Sequence, residues 1–318
     1  MGAIITLSIL ALVVLYLGLF KVKSMLLPVS ILGFLVAIGF LWDDWNSTSG
    51  PLYSGMVHFD HYAIVFSILC IAVTLCIFVV SKGYFDQEGQ VAEYYSLLIF
   101  SLTGAVLVNS YHNFSMLFLG IEIMSVALYI LVGIRKRDKA SNEAALKYFI
   151  MGAFSTGFLL FGIALLYGAT GSFDLSEVKE YVVNNPQSIS PLFYGGILFL
   201  IVGLTFKVGA VPFHFWTPDV YEGAPILITS YMSTVVKVAS FAGLLRLFSY
   251  SLLPLQDFWT PVFLVIAILT LFVGNISALM QSSFKRMLAY SSVSHVGYML
   301  FAIIAVGATS ANSIFAYG

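Results

Sequence analysis

GLTFKVGAVPFHFWTPDVYEGAP, residues Gly203 to Pro225, decides how the rest of this chain is read. It places Lys207 inside a run otherwise apolar enough to cross a membrane. Pro212 lacks a backbone donor and breaks a helix, and His214 follows two residues later. Gly203, Gly209, Gly223 and the prolines Pro212, Pro218 and Pro225 surround these groups. A charge beside an interrupted helix at membrane depth is the arrangement expected where ions or protons pass.

Composition points the same way. Of 318 residues, 60% are hydrophobic and 9% charged, against about 25% charge in soluble domains. One soluble core does not bury that much apolar surface, so the chain reads as an all-α polytopic membrane protein. The net charge of -1 says nothing about nucleic acid, but there is no basic arm and no basic patch with interleaved aromatics, so no nucleic-acid partner is expected. Cys70 and Cys76 lie six residues apart in one apolar run, on different helix faces, and cannot pair. Two thiols are too few for an iron–sulfur cluster, so they read as small apolar fillers, and no metal ligands are assigned. The N-terminal apolar stretch lacks a charged leader and a cleavage site, and predicts a retained helix.

At about 20 apolar residues per crossing, ten spans are predicted, near 3–20, 25–42, 59–80, 93–110, 113–133, 144–168, 191–217, 225–249, 258–281 and 285–308. The seventh region, Pro191 to Pro225, is too long for one crossing and fits a helix broken at Pro212. Lys21, Lys23, Lys82, Arg135, Lys136, Arg137, Lys139, Lys285 and Arg286 then all fall on one side. Asp43, Asp44, Asp174, Glu177, Glu180 and Asp257 fall on the other, with Lys179 their one basic companion. The partition places the basic loops in the cytoplasm and the N-terminus outside. The longest connection, Gly171 to Ser190, is a polar excursion with a short helix expected at Leu175–Val183. The tail from Thr309 to Gly318 carries no further domain.

Ionisable residues far from any span end carry the chemistry. Glu122 falls near the middle of span five, Lys207 of span seven, Lys237 of span eight and His295 of span ten, while Lys147 lies one turn inside span six. Glu122, Lys207 and Lys237 left unpaired would together cost on the order of 8–10 kcal/mol, so pairing or hydration is expected. Burial lowers a lysine's pKa and a nearby carboxylate raises it, so moving the carboxylate would switch such a lysine between charge states. His214 titrates near neutral pH without help. A single static ion pair would serve packing alone. A second lysine and a histidine at the break favour a proton route. His58, His61 and His112, near span ends, read as interfacial.

From about Glu93 onward the chain resembles the antiporter-like membrane subunits of bacterial proton-pumping NADH:quinone oxidoreductase, respiratory complex I, and among them subunit N. FKVGAVPFHFWTPDVYEGAP carries the resemblance most specifically, its PDVYEGAP ending being similar to subunit N rather than to subunits L and M. FKRMLAYSSVSHVGYM, Phe284 to Met299, is similar to a block shared with Mrp-type cation/proton antiporters.

The resemblance implies two inverted five-helix repeats, each with a broken helix, in a fourteen-helix fold of which about ten spans are present. Residues 1–92 would form an N-terminal three-helix region, 93–250 the first repeat and 251–318 the start of the second, and the chain reads as C-terminally truncated. By position Glu122 matches the family's span-five glutamate, Lys207 its broken-helix lysine partner and Lys237 the next lysine of a central polar axis. Lys147, His214 and Lys285 match further axis positions, and His295 joins the candidate proton relay. The implied function is a non-redox, proton-translocating subunit of an inner-membrane translocase. NADH, FMN, iron–sulfur clusters and quinone would then belong to other subunits, and other complex I membrane subunits and the bilayer would be partners. The absence of a Gly-rich dinucleotide fingerprint agrees. The competing readings are an Mrp-type antiporter subunit without redox partners and a passive membrane scaffold.

Overall fold

A computed structural model describes residues 1–20, 22–46, 50–85, 91–186 and 188–308. Lys21 and the tail from Thr309, both used above, lie outside the described residues. Among the described residues, ten helical segments are long and apolar enough to span a membrane. In order they are α1 (Gly2–Leu19), α2 (Lys23–Asn46), α3 (His61–Phe85), α4 (Val91–Ser110), α5 (Phe114–Val132), α6 (Lys139–Thr170), α8 (Pro191–Val208), the Ile226–Ser251 segment, the segment ending in α12 (Gln256–Leu279), and α13 (Phe284–Ala308). A short helix, α7 (Leu175–Asn184), lies where the excursion predicted one.

Local chemistry sets the ends. Asn113, Asp138, Asp174 and Ser190 cap the first turns of α5, α6, α7 and α8 by accepting from backbone amides. Gly171, at φ +76°, closes α6 in the left-handed conformation. α6 begins five residues earlier than predicted, so Lys147 sits two turns in rather than one. Its 32 residues make a rod of about 48 Å, longer than a bilayer core of about 30 Å.

The helix ends sort onto two faces. On the far face the α-amino group of Met1 pairs with Asp44 at 3.0 Å, and isolated bridges join Val57 to Tyr111 and Asn113 to Asp174. Ser251 donates to the Leu175 carbonyl at 3.0 Å, fastening α7 there. His112, also on this face, is buried, which pushes its imidazole below the usual range against the pull of Asp174. The opposite, basic face carries Lys82, Arg135 and the Lys285–Arg286 pair. The charge partition had no place for Arg246, which lies on the far face, buried and paired with Asp60 at 2.6 Å. Cys70 is buried and Cys76 exposed, both free, as their spacing predicted.

The seventh span is the informative departure. α8 ends at Val208, not at Pro212, because Gly209 adopts φ +77°. Gly209 donates to the Phe206 carbonyl at 3.0 Å and Ala210 to that of Thr205 at 2.9 Å, a glycine-terminated helix end. Pro212, preceded by a cis bond, lies inside the break. Val211 donates to Thr270 on α12 at 3.0 Å, which satisfies one freed amide. The chain resumes as α9 (Trp216–Gly223), then α10 (Ile226–Tyr231). From there it winds as a π-turn over Met232–Val236, as α11 (Lys237–Arg246), and as a second π-turn over Leu247–Ser251. Helices pack closely where glycines meet: a Cβ on Gly162 would lie 2.9 Å from the Gly196 carbonyl oxygen.

Candidate functional site

Lys207 is in the last turn of α8, at the edge of the break rather than in mid-span, and only 3% exposed. Its Nζ donates to Ser125 Oγ at 3.0 Å and lies 6.0 Å from the centre of the Tyr129 ring. Glu122, Ser125 and Tyr129 are spaced i, i+3, i+7 along α5, which puts them on one face. Ser125 spends its own proton on the Ile121 carbonyl at 2.6 Å, leaving its lone pairs for the lysine. No ion pair within 4.0 Å joins Glu122 to Lys207 among the described residues. Glu122 Oε1 is buried without a hydrogen-bond partner. The expected contact pair is thus a glutamate and a lysine with a serine and a tyrosine beside them.

Lys237 begins α11, 5% exposed, directly after a π-turn. It donates to the carbonyl oxygen and the hydroxyl of Ser292 on α13 at 2.8 and 2.6 Å. π-turns inside helices concentrate at functional sites. Between the two lysines runs an aromatic wall. Tyr129 meets Tyr148 edge-on at 4.8 Å, Tyr148 stacks on Trp216 at 4.9 Å, and Trp216 meets Tyr221 at 5.9 Å. The Tyr221 ring lies 6.0 Å from the Lys237 Nζ. The Trp216 indole donates to the Phe206 carbonyl at 3.0 Å, tying α9 to the last turn of α8. Tyr129 Oη, Tyr221 Oη, Thr217 Oγ1 and Ser240 Oγ are buried without partners, like Glu122 Oε1. Buried polar atoms are rarely left so, and water is their ordinary partner. Gly152 keeps room for the Tyr129 hydroxyl, since a Cβ there would fall 2.1 Å from it.

The remaining candidates divide. His214 lies in the break, buried, with Nδ1 unpartnered and its ring 6.4 Å from that of Tyr290 on α13. No hydrogen bond joins it to either lysine among the described residues. Lys147 and Lys285 are not on the lysine axis. They meet instead in a charged cluster on the basic face, built on acidic residues of α9. Asp219 takes Lys147 at 2.7 Å and Arg286 at 2.7 Å, Glu222 takes Arg286 at 3.0 Å, and Lys285 donates to the Glu222 carbonyl at 3.3 Å. His295 is exposed on α13, away from the axis. Sequence reasoning missed Ser125, Tyr129, Ser292, Asp219 and Glu222. The spacing from Glu122 was available for the first two, and the i, i+3 carboxylates of PDVYEG for the last two.

Asp219→Asn is expected to loosen α9 by roughly 1–2 kcal/mol, the sum of two partly exposed ion pairs. Asp219→Glu should restore most of it. Unfolding of the purified protein in graded SDS reads the difference, and identical curves for Asn and the parent would show that the cluster fastens nothing.

A membrane-buried lysine pair flanking a broken helix defines an antiporter-like polytopic membrane protein. The comparisons with known proteins narrow this. The chain belongs to the NADH:quinone oxidoreductase/Mrp antiporter transmembrane family, whose sequence model matches residues 112–318. It is similar to proteins named NADH-quinone oxidoreductase subunit N. That of Flavobacterium psychrophilum is 41% identical over 94% of this chain and 66% of its own length. That of Cytophaga hutchinsonii is 40% identical over 100% of this chain and 68% of its own. In structure it is similar to a chain of respiratory complex I from Thermus thermophilus, with TM-score 0.78 and 32% identity over 95% of this chain and 64% of that one. A chain of an archaeal membrane-bound sulfane sulfur reductase, at TM-score 0.79 and 24% identity, shares the fold. The chain thus spans about two thirds, or less, of the length of the curated relatives it matches.

Proposed function

We propose that this chain is a proton-translocating membrane subunit of an NADH:quinone oxidoreductase. Quinone reduction in other subunits would drive proton transfer along Glu122, Lys207 and Lys237. The observation that carries the reading is that both lysines are almost fully buried yet neither has a carboxylate within ion-pair distance among the described residues. A lysine held only by hydroxyls and a carbonyl can lose and regain its proton without breaking a salt bridge. Glu122, with one oxygen unpartnered, tunes Lys207 through space. The basic face is the cytoplasmic side, from which protons load Lys207 and pass by water, with His214 beside the break, to Lys237. Residues 93–250 act as the first repeat and 251–318 as the opening of the second.

NADH, FMN, iron–sulfur clusters and quinone bind neighbouring subunits, other complex I membrane subunits are the partners, and the assembly sits in the bacterial inner membrane. The similarity to subunit N over nearly the whole chain favours this reading over an Mrp-type antiporter. The test is Glu122→Gln and Lys207→Ala in the full-length subunit within its complex. Proton uptake per quinone reduced should fall steeply for Lys207→Ala and partly for Glu122→Gln. Normal pumping at normal assembly in both would reject the assignment.

A further inference from the structure

A buried histidine joins the loops of the far face, and the proposed route does not use it. Residues 111–113, between α4 and α5, form the middle of three short segments there. On one side Val57 pairs with Tyr111, the His112 amide donates to the Met56 carbonyl at 3.0 Å, and the His58 amide donates to that of Ser110 at 2.8 Å. On the other side Phe114 donates to the Phe173 carbonyl at 2.9 Å and Leu175 to that of His112 at 3.1 Å. Leu175 opens α7, and its own carbonyl accepts from Ser251 of the second π-turn. The backbone of His112 thus holds the segment 52–57 and the start of α7 at once.

Its side chain fills the junction. His112 is 8% exposed. Nε2 bonds Ser176 Oγ of α7 at 2.8 Å, and that hydroxyl meets Tyr250 Oη of the second π-turn at 3.2 Å. The rings of His58 and Tyr250 stand 5.9 and 5.6 Å away. Nδ1 is buried and has no partner among the described residues. The charged groups around it come from four elements. Asp174 caps α7 by accepting from the Ser176 and Glu177 amides. Asp60 precedes α3 and accepts from the Ala63 amide. Arg246 ends α11 and pairs with Asp60. Lys179 of α7 lies behind Tyr250, 4.6 Å from its ring centre.

This junction fits a neutral imidazole. Protonation makes both ring nitrogens donors. Nε2 keeps Ser176, but the new Nδ1–H meets no acceptor, and a buried donor left unmet costs its desolvation. Burial, with His58 and Arg246 nearby, holds the imidazole below its usual range against the pull of Asp174 and Asp60. A base so held docks firmly while neutral. That firmness is complete above about pH 6.5, where a free imidazole gives up its proton, and is lost as pH falls from there through the lowered value.

We propose that His112 is an acid-sensitive latch: a proton taken up from the far side releases the start of α7 from residues 111–113. The latch does not depend on the proton route. It makes the docking of α7, and through Ser251 that of the second π-turn, answer to the pH of the compartment that the far face meets.

The test is amide hydrogen exchange on the assembled full-length protein at about pH 8 and about pH 5.5, on either side of the imidazole range, each corrected for the chemical exchange rate at that pH. The Leu175 and Phe114 amides, which donate across the junction, should lose protection several-fold at the lower pH. His112→Gln keeps a hydrogen-bonding group for Ser176 and cannot titrate, so its protection should be equal at both. His58→Gln removes only the neighbouring ring and should keep the loss. If His112→Gln does not accumulate, His112→Asn carries the same expectation. Equal protection at both pH values in the parent overturns the latch, whatever the variants do. A loss that persists without His112 overturns it too, and so does one abolished by His58→Gln. None of these readings uses electron transfer or pumping, so failure here is distinct from failure of the proposed function.

Discussion

Lys237→Met is expected to assemble at least as well as the parent and to lose proton translocation by about 100-fold or more, the range set by removing a positioned proton donor. The two halves of that outcome come from the same geometry. Lys237 is almost wholly buried, and its partners are the Ser292 carbonyl and hydroxyl, with no carboxylate in contact among the described residues. A central charged residue costs about 2.5–3.5 kcal/mol on insertion, and a hydroxyl and a carbonyl offset only part of that. Methionine has similar length and no charge, so stability should hold or rise. A packing role predicts the reverse: the protein would fail to assemble, and whatever assembled would pump. Assembly read by native gel beside redox-driven proton uptake in vesicles separates the two. A Met variant that pumps normally would remove Lys237 from the route.

The second large effect concerns how α4 and α5 approach. A Cβ on Gly104 would fall 2.5 Å from the Met124 amide nitrogen and 2.7 Å from the Gly120 carbonyl oxygen. A Cβ on Gly120 would meet the Gly104 oxygen at 3.0 Å. These are backbone atoms, so no side chain can swing aside. Small residues that let backbones touch are how membrane helices associate where lipid is as apolar as leucine. Gly104→Ala must push α5 outward, at about 1–3 kcal/mol of overpacking, enough to cut steady-state abundance several-fold. It also carries Glu122 and Ser125 off Lys207, so the protein that survives should pump poorly. Gly157→Ala, where nothing lies within 4 Å of the added carbon, is the control. Equal accumulation of the two variants would show that the crossing tolerates separation.

Much of this was legible in the chain because lipid imposes simple rules. Span number and alternation followed from apolar runs and basic loops. Glu122 and Lys237 lie near the middle of their spans as counted. The break was legible too, though its position was misjudged. Gly209 followed by Pro212 is a helix-end signal, and the glycine, not the proline, ends α8. That shift moves Lys207 from mid-span to a helix terminus. The buried stripe of α13 runs through Ala289, Val293, Val296, Leu300 and Ile303, and His295 falls off it. Ser292, Tyr148 and Tyr221 were hidden for a different reason. A neutral hydroxyl in an apolar run looks the same whether it faces its own helix or a lysine on another, and only the tertiary fold decides.

The indole of Trp216 makes α9 more than a spacer. One end of this eight-residue rod is bolted through Asp219 and Glu222 to α6 and α13, and the other is hooked to the turn that carries Lys207. So short a helix has no room to bend. A sideways slip of α13 against α6 therefore has a continuous path of contacts through this rod to the lysine's own turn.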